Sequence, residues 1–101
     1  MIVYNVTINV HDEVHQEWLK WMKEIHLPQV MDTGMFTSYA MHKLLTRQED
    51  EDGITFCIQY TCPSMAEYER YSNEFAPALQ AETQKLFGGK YIAFRTLMEE
   101  V

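Results

Sequence analysis

The chain has 101 residues, 47% of them hydrophobic, and its 15 acidic residues outnumber 8 basic ones to give a formal net charge of −7. This length and composition predict one folded domain over residues 1–101, with a core small enough that association with a second copy would add stability. So acidic a surface repels phosphate backbones and anionic lipid, which argues against nucleic-acid and membrane partners. No apolar run is long enough to span a bilayer and the first residues do not resemble a signal peptide, so we expect a cytoplasmic protein.

The first part of the chain alternates and then becomes helical. Over residues 2–10, apolar residues alternate strictly with mostly polar ones, which predicts a strand. A helix follows, with Asp12 as its expected N-cap and Pro28 as the residue that stops or bends it. Its apolar residues recur at helical spacing: Val14, Trp18, Trp21, Met22 and Ile25.

The middle of the chain predicts two strands and a loop. Gly34 indicates a turn, and residues 35–46 form a long predicted strand. Residues 48–53 hold four acids and a glycine, which is typical of a solvated hairpin loop. Residues 54–62 are the third predicted strand.

The last part predicts a second helix and a final strand. Ser64-Met65-Ala66-Glu67 matches a capping box at a helix start. Pro77 is expected to divide or kink this helix, and Gly88-Gly89 to end it. Residues 91–98 form the last predicted strand. This order predicts an α+β, ferredoxin-like βαββαβ sandwich, with a four-stranded antiparallel sheet, both helices on one face, and the first and third strands central.

The sheet face opposite the helices predicts a partner. On the two central strands this face is polar but uncharged, comprising Val3, Asn5, Thr7 and Asn9 on the first and Thr55, Cys57, Gln59 and Thr61 on the third. The outer strands are apolar on both sides, with Phe36, Ser38 and Ala40 assigned to one face. A wetted antiparallel face normally carries charges, so we expect a homodimer packed sheet on sheet. The alternative is a monomer with a mild, Thr-rich open face.

Three polar residues are candidates for chemistry. His26, near the end of the first helix, could act as a general acid or base at a cavity between helix and sheet, or cap the helix by donating to a free carbonyl. Asn5 could hydrogen-bond a ligand carbonyl or enolate, or bond across the sheet. Arg95 could bind a carboxylate with two hydrogen bonds, or form a structural ion pair with one of the acids.

The aromatic residues are the other candidates. Tyr4, Tyr39, Tyr60, Tyr68 and Tyr71 could line a pocket, although residues at these spacings are core by default. The full set of ligand-binding candidates is Trp18, Met22, Tyr39, Tyr60, Tyr68 and Arg95. No metal or cofactor is expected, because His11 and His15 have no second ligand cluster and neither Cys57 nor Cys62 belongs to a C-x-x-C pair.

A family resemblance extends over essentially the whole chain. It is carried by Met1-Ile2-Val3-Tyr4-Asn5-Val6, Trp18-Leu19-Lys20-Trp21-Met22, the segment from His26-Leu27-Pro28 to Gly34, and Ala93-Phe94-Arg95-Thr96-Leu97. These segments resemble an uncharacterised bacterial family, domain-of-unknown-function family 4286, which is similar to the dimeric α/β barrels. The resemblance implies two ferredoxin-like sheets facing each other.

Two residue positions are similar to functional positions in the wider group. His26-Leu27-Pro28 is similar to a His-x-Pro element whose histidine looks into the pocket, and Asn5 is placed like a first-strand asparagine of cofactor-free monooxygenases and haem degraders. Residues 64–87 contain no histidine, and both tryptophans lie on the first helix, so haem binding is not expected.

Three functions are therefore compared. The first is a homodimer that binds a small molecule between sheet and helices. The second is a cofactor-independent monooxygenase or isomerase that uses His26 and Asn5. The third is a structural or interaction dimer without a ligand.

Overall fold

The computed structural model describes residues 1–46 and 52–101. Its strands are β1 (Ile2–Val10), β2 (Ser38–Lys43), β3 (Ile54–Cys62) and β4 (Tyr91–Glu99). They form one four-stranded sheet in the order β2-β3-β1-β4. All neighbouring strands are antiparallel, which confirms the predicted sandwich with its first and third strands central.

The first helical arm comprises α1 (His15–Trp21), a π-helical turn (Met22–His26) and α2 (Leu27–Asp32). The prediction that Pro28 stops the helix is wrong, because the helix continues through it. In the π turn the Leu27 amide donates to the Met22 carbonyl, five residues back. Pro28 cannot donate, and its ring would clash with the carbonyl four residues earlier in a regular helix. The wider turn relieves that clash, so the proline alters the helix without ending it.

The second arm repeats this arrangement with α3 (Met65–Arg70), a π turn (Tyr71–Phe75) and α4 (Ala76–Phe87). Here the Ala76 amide donates to the Tyr71 carbonyl, and Pro77 follows directly. The helix continues through Pro77 as it does through Pro28, so the prediction that Pro77 divides it into two pieces is wrong. Each arm has a π turn that ends two residues before its proline.

The helix ends differ in how well the sequence predicted them. The predicted N-cap Asp12 is wrong: Val14 occupies that position, and Asp12 instead accepts a hydrogen bond from His15 Nδ1 on its backbone oxygen at 2.8 Å. Ser64 is the N-cap of α3, as predicted, but its hydroxyl donates to the Glu67 carboxylate and caps no amide. The second arm ends at Phe87, before Gly88, as expected.

Strand β2 is shorter than the predicted strand over residues 35–46. It begins at Ser38, and Phe36 lies in the preceding bend. Assigning Phe36 to the same face as Ser38 and Ala40 is therefore wrong. Its ring turns to the helix side and packs 4.8 Å from Tyr71 and 5.0 Å from Tyr60 between centroids. The predicted loop covers residues 48–53. Its residues 48–51 lie outside the described part of the chain, whereas Asp52 and Gly53 are described.

The core lies between the sheet and the two arms. The helix-facing side chains of β1 are buried from Ile2 to Val10, and those of β3 from Phe56 to Cys62. Trp18, Leu27 and Val30 from the first arm are completely buried against them. Within the described residues, no helix is long and apolar enough to cross a membrane.

Candidate functional site

A small pocket lies between the helix-facing side of the sheet and the two arms. Its volume is about 40 Å³, enough for about three water molecules. The sheet contributes Tyr4, Val6, Ile8, Ile58, Tyr60, Tyr91, Ala93 and Arg95. The helical arms contribute Met22, His26, Tyr71, Leu79, Gln80 and Thr83.

The two π turns supply the first residues of the helical wall. Met22 and His26 begin and end the first turn, and Tyr71 begins the second. π turns occur frequently at functional sites, because the wider turn re-aims side chains that a regular helix would place elsewhere. In this chain the irregular part of each arm faces the pocket.

His26 is the most unusual polar group of the pocket. Its Nδ1 is buried and has no hydrogen-bond partner among the described residues. Burial, with a smaller contribution from the positive charge of Arg95, lowers the pKa of His26 from 6.5 to about 4. The imidazole is therefore neutral at physiological pH. It does not cap the helix, because the helix runs on to Asp32.

Three tyrosines form the inner wall. The Tyr4 ring centroid lies 5.8 Å from that of Tyr60 and 6.0 Å from that of Tyr71. Burial raises the pKa of all three phenols above the usual 10, while the charge of Arg95 acts in the opposite direction on each. Their hydroxyls therefore stay protonated at neutral pH and can donate hydrogen bonds.

Arg95 supplies the positive charge of the pocket. Its positive charge acts on His26 as well as on Tyr4, Tyr60 and Tyr71. Within residues 1–46 and 52–101, no carboxylate forms a salt bridge with it. The predicted alternative of a structural ion pair is therefore not found there. Arg95 remains exposed, at the mouth of the pocket.

The structure brings together some of the predicted ligand-binding residues and separates others. Met22, Tyr60 and Arg95 line the pocket with His26. Trp18 is fully buried against Phe56, with ring centroids 5.0 Å apart, and belongs to the core. The other two candidates, Tyr39 and Tyr68, do not line the pocket either.

Asn5 does not join His26. It pairs with Gln59 and Thr96 in the sheet, and its side chain lies on the face away from the helices, where Nδ2 donates to Thr7 Oγ1 at 2.9 Å. The sheet therefore separates the two residues that the enzyme hypothesis combined. The bond to Thr7, two residues along the same strand, is neither a ligand contact nor the predicted bond across the sheet.

Sequence reasoning missed Gln80, Thr83 and Tyr91. The Thr83 hydroxyl donates to the Leu79 carbonyl at 3.2 Å, and the Tyr91 hydroxyl to Gln84 Oε1 at 3.1 Å. Tyr91 alternates with Ala93 and Arg95, which could have placed all three on the helix side of β4. Nothing in the sequence marks Gln80, and Thr83 is marked only by its helical spacing of four residues from Leu79.

The face of the sheet away from the helices is here called the open face, and Asp52, just before β3, lies beside its residues Ile92 and Phe94. The strand register places on it Val3, Asn5, Thr7 and Asn9 of β1, Ser38, Ala40 and His42 of β2, Thr55, Cys57, Gln59 and Thr61 of β3, and Ile92, Phe94, Thr96 and Met98 of β4. None of these strand residues is Asp, Glu, Lys or Arg. Ile92 and Phe94 are 72% and 62% exposed, so this face presents apolar surface to water.

The fold and pocket define a class of protein. The fold is an α+β, ferredoxin-like sandwich, and the solved structures that share it are ferredoxin-like dimeric α/β-barrel proteins. The sequence matches, over residues 1–101, the family described as a domain of unknown function (DUF4286), and the chain belongs to this family. The resemblance seen in the sequence is thereby confirmed. No curated protein matches the sequence.

Solved structures share the fold at low sequence identity. HapK from Hahella chejuensis has a TM-score of 0.72 at 10% identity, over 100% of this chain and 93% of HapK. An ethyl tert-butyl ether (EthD) family protein from Bacillus halodurans has a TM-score of 0.68 at 14% identity, over 100% of both chains. A mutant of SnoaB, a cofactor-independent oxygenase from Streptomyces nogalater, has a TM-score of 0.65 at 10% identity, over 98% of this chain and 91% of SnoaB. These likenesses concern the fold alone.

Proposed function

We propose that the protein is a cytoplasmic homodimer that binds a small molecule in the pocket between its sheet and helices. The observation that carries the binding proposal is the pocket lined by His26, whose buried Nδ1 has no partner among the described residues. A buried polar atom without a partner costs about 1–3 kcal/mol, which a bound group would recover. The free thiols of Cys57 and Cys62 support a reducing compartment.

The dimer proposal rests on the open face. A chain with a net charge of −7 repels a second copy over most of its surface, but the open face carries no acid in its strands. Two such faces can approach without bringing strand carboxylates together, Asp52 being the described acid beside Ile92 and Phe94, and they would bury these two apolar residues. A second copy is therefore the occupant we propose for this face.

The enzyme hypothesis is the second candidate, because a histidine does line the pocket. A general base works best when its pKa lies near the working pH, whereas the pKa of His26 is lowered to about 4. It is a weak base at pH 7, and Asn5 lies across the sheet from it. The geometry therefore favours binding over proton transfer. A structural dimer without a ligand would leave the pocket without a role.

The binding proposal is tested by native mass spectrometry of gently purified protein. We expect a dimer of twice 12.0 kDa carrying a small bound mass. Ala93→Leu, which fills the pocket, should lose that mass, whereas Ala78→Leu on the exposed side of α4 should keep it. If the bound mass survives Ala93→Leu in a folded protein, the ligand is elsewhere and the pocket is not the binding site.

A further inference from the structure

The two edge strands of the sheet differ in how well they are protected from pairing with another chain. Strand β4 has nine residues, none of them lysine or proline, and it pairs one to one with β1 along its whole length without a bulge. Strand β2 has six residues and ends in a lysine. Because lysine, proline, bulges and short length are the features that block strand addition at a sheet edge, β4 is the more open of the two edges.

Two hydrogen bonds just beyond the ends of β4 show which of its backbone groups point away from β1. At one end the Glu100 amide donates to the Met1 carbonyl, and at the other the His11 amide donates to the Lys90 carbonyl. In an antiparallel pair, alternate residues direct both their amide and their carbonyl to the same neighbour, so the even-numbered residues of β4 bond to β1. The odd-numbered residues direct theirs to the free edge, where residues 1–46 and 52–101 supply no backbone partner. These residues are Tyr91, Ala93, Arg95, Leu97 and Glu99.

The C-terminal half of β4 is exposed on both faces of the sheet. On the helix side, Arg95, Leu97 and Glu99 are exposed, whereas Tyr91 and Ala93 nearer the start of the strand are half-buried. Neither Arg95 nor Glu99 forms a salt bridge within the described part of the chain. At about 3.3 Å per residue the two lie about 13 Å apart along the strand, too far to pair with each other. One strand therefore presents two opposite charges, both without a partner, on one face of an open edge.

A second copy supplies both missing partners when two β4 strands pair antiparallel about a twofold axis. The axis can pass beside Arg95, Thr96 or Leu97, since beyond Leu97 the strands overlap too little. An axis at Arg95 places the two arginines opposite each other, and like charges directly opposite are destabilising. An axis at Thr96 places Arg95 opposite Leu97. An axis at Leu97 places each Arg95 opposite Glu99 of the other copy, with the two Leu97 side chains between these pairs. Charge therefore selects the last register.

We propose that two copies join through their β4 edges in the register centred on Leu97, which continues the sheet from one copy into the next. The Leu97 amide of each copy donates to the Leu97 carbonyl of the other, and an Arg95–Glu99 ion pair lies on either side. This edge is distinct from the open face, so it joins two of the proposed dimers into a tetramer. Two short strands bury less area than a standard interface, so the association is weak and needs a high protein concentration.

The test is sedimentation velocity of the full chain from micromolar to millimolar concentration, over which the wild type should pass from dimer to tetramer. Leu97→Pro removes one outward amide from each copy, and with them two hydrogen bonds of the interface, so it should weaken tetramer formation about tenfold or more. It keeps the bonds between β4 and β1, because this amide points away from β1.

Tyr39→Pro is the matched control on the other edge. The Leu44 amide donates to the Thr55 carbonyl, so the even-numbered residues of β2 face β3 and the Tyr39 amide points outward. Tyr39 is 45% exposed and Leu97 42%. The control variant should form the tetramer as the wild type does.

A charge exchange tests the register. Arg95→Glu alone and Glu99→Arg alone each place like charges opposite one another and should weaken the association several-fold or more, whereas the two together reverse both ion pairs and should restore it. Association above the dimer that is absent in the wild type, or that Leu97→Pro leaves unchanged in a folded protein, would overturn the interface. Single exchanges that weaken the association without recovery in the double variant would overturn the register. Circular dichroism of each variant shows whether it is folded.

Discussion

The Trp21 indole and the His26 imidazole pack against each other, with centroids 5.0 Å apart and ring planes inclined by 30°. Trp21 directly precedes the first π turn and His26 ends it, so the irregular helix brings the two rings together. Trp21 also contacts Phe87, with ring centroids 5.5 Å apart, which links this pair to the end of the second arm. The indole covers one side of the imidazole and contributes to the burial that disfavours its charged form.

The first prediction concerns the protonation of His26. Its imidazole should titrate with a pKa of about 4 in the folded protein. Arg95→Gln should raise this pKa, because it removes the positive charge that opposes protonation. NMR of the ring protons measures both values. A His26 signal that titrates near 6.5 would contradict the burial of the ring.

The second prediction concerns stability against pH. Because the folded pKa of His26 is lowered to about 4, its contribution is fully present above the unfolded value near 6.5 and is lost as the pH falls from there toward 4. Relative to His26→Phe, the wild type should lose about 2 kcal/mol of unfolding free energy between pH 7 and pH 5. Urea unfolding at both pH values measures this, and carboxylates common to the two proteins cancel. A pH-independent difference between them would contradict the prediction.

The third prediction concerns the open face. Phe94→Glu places a carboxylate in the proposed interface, and twofold symmetry doubles its effect. We expect the dissociation constant of the dimer to rise at least about tenfold, since each charge is desolvated without a partner. Light scattering over a dilution series measures the mass. Leu86→Glu, an exposed substitution on α4, is the matched control and should leave the mass unchanged; a wild-type monomer at micromolar concentration would refute the dimer.

The fourth prediction uses two glycines with similar backbone angles. Gly34 has φ of 76° and open space where a Cβ would lie, whereas a Cβ on Gly53, at φ of 80°, would lie 2.5 Å from the Val10 carbonyl oxygen. Gly34→Ala should therefore cost about 1 kcal/mol from backbone strain alone. Gly53→Ala adds a clash with the end of β1 and should cost about 1–3 kcal/mol more. Thermal unfolding compares them, and equal losses would show that the close approach is unimportant.

Much of the fold was predictable from local patterns. The alternation of β1 and β3 is a property of the backbone, so it assigned their faces correctly. Phe36 was misplaced because alternation was extended into a bend, where the period of two does not apply. Pro28 was misread because the effect of a proline depends on whether the preceding turn can widen, and that is decided by packing.

The pocket was less predictable, because it depends on tertiary contacts between three strands and two helical arms. The alternation of β1 already placed Asn5 on the open face, which separates it from a histidine in the helix layer. By contrast, the unpartnered Nδ1 of His26 and the absence of a described carboxylate paired with Arg95 follow from three-dimensional packing. Neither can be read from spacing along the chain.

The paired π turns have a consequence for chain length. A π turn accommodates one extra residue while the helix on either side keeps its orientation, because the additional amide bonds five residues back. Deleting one residue between Met22 and His26, or between Tyr71 and Phe75, together with replacing the following proline by alanine so that no ring clashes in the regular helix, would restore regular helical spacing, and the buried faces before and after the turn would still meet the sheet. We therefore expect such deletions to spare the fold and reshape the cavity wall. The shape of the pocket, and with it the ligand that the pocket accepts, can then change through insertions and deletions in these turns as well as through substitutions.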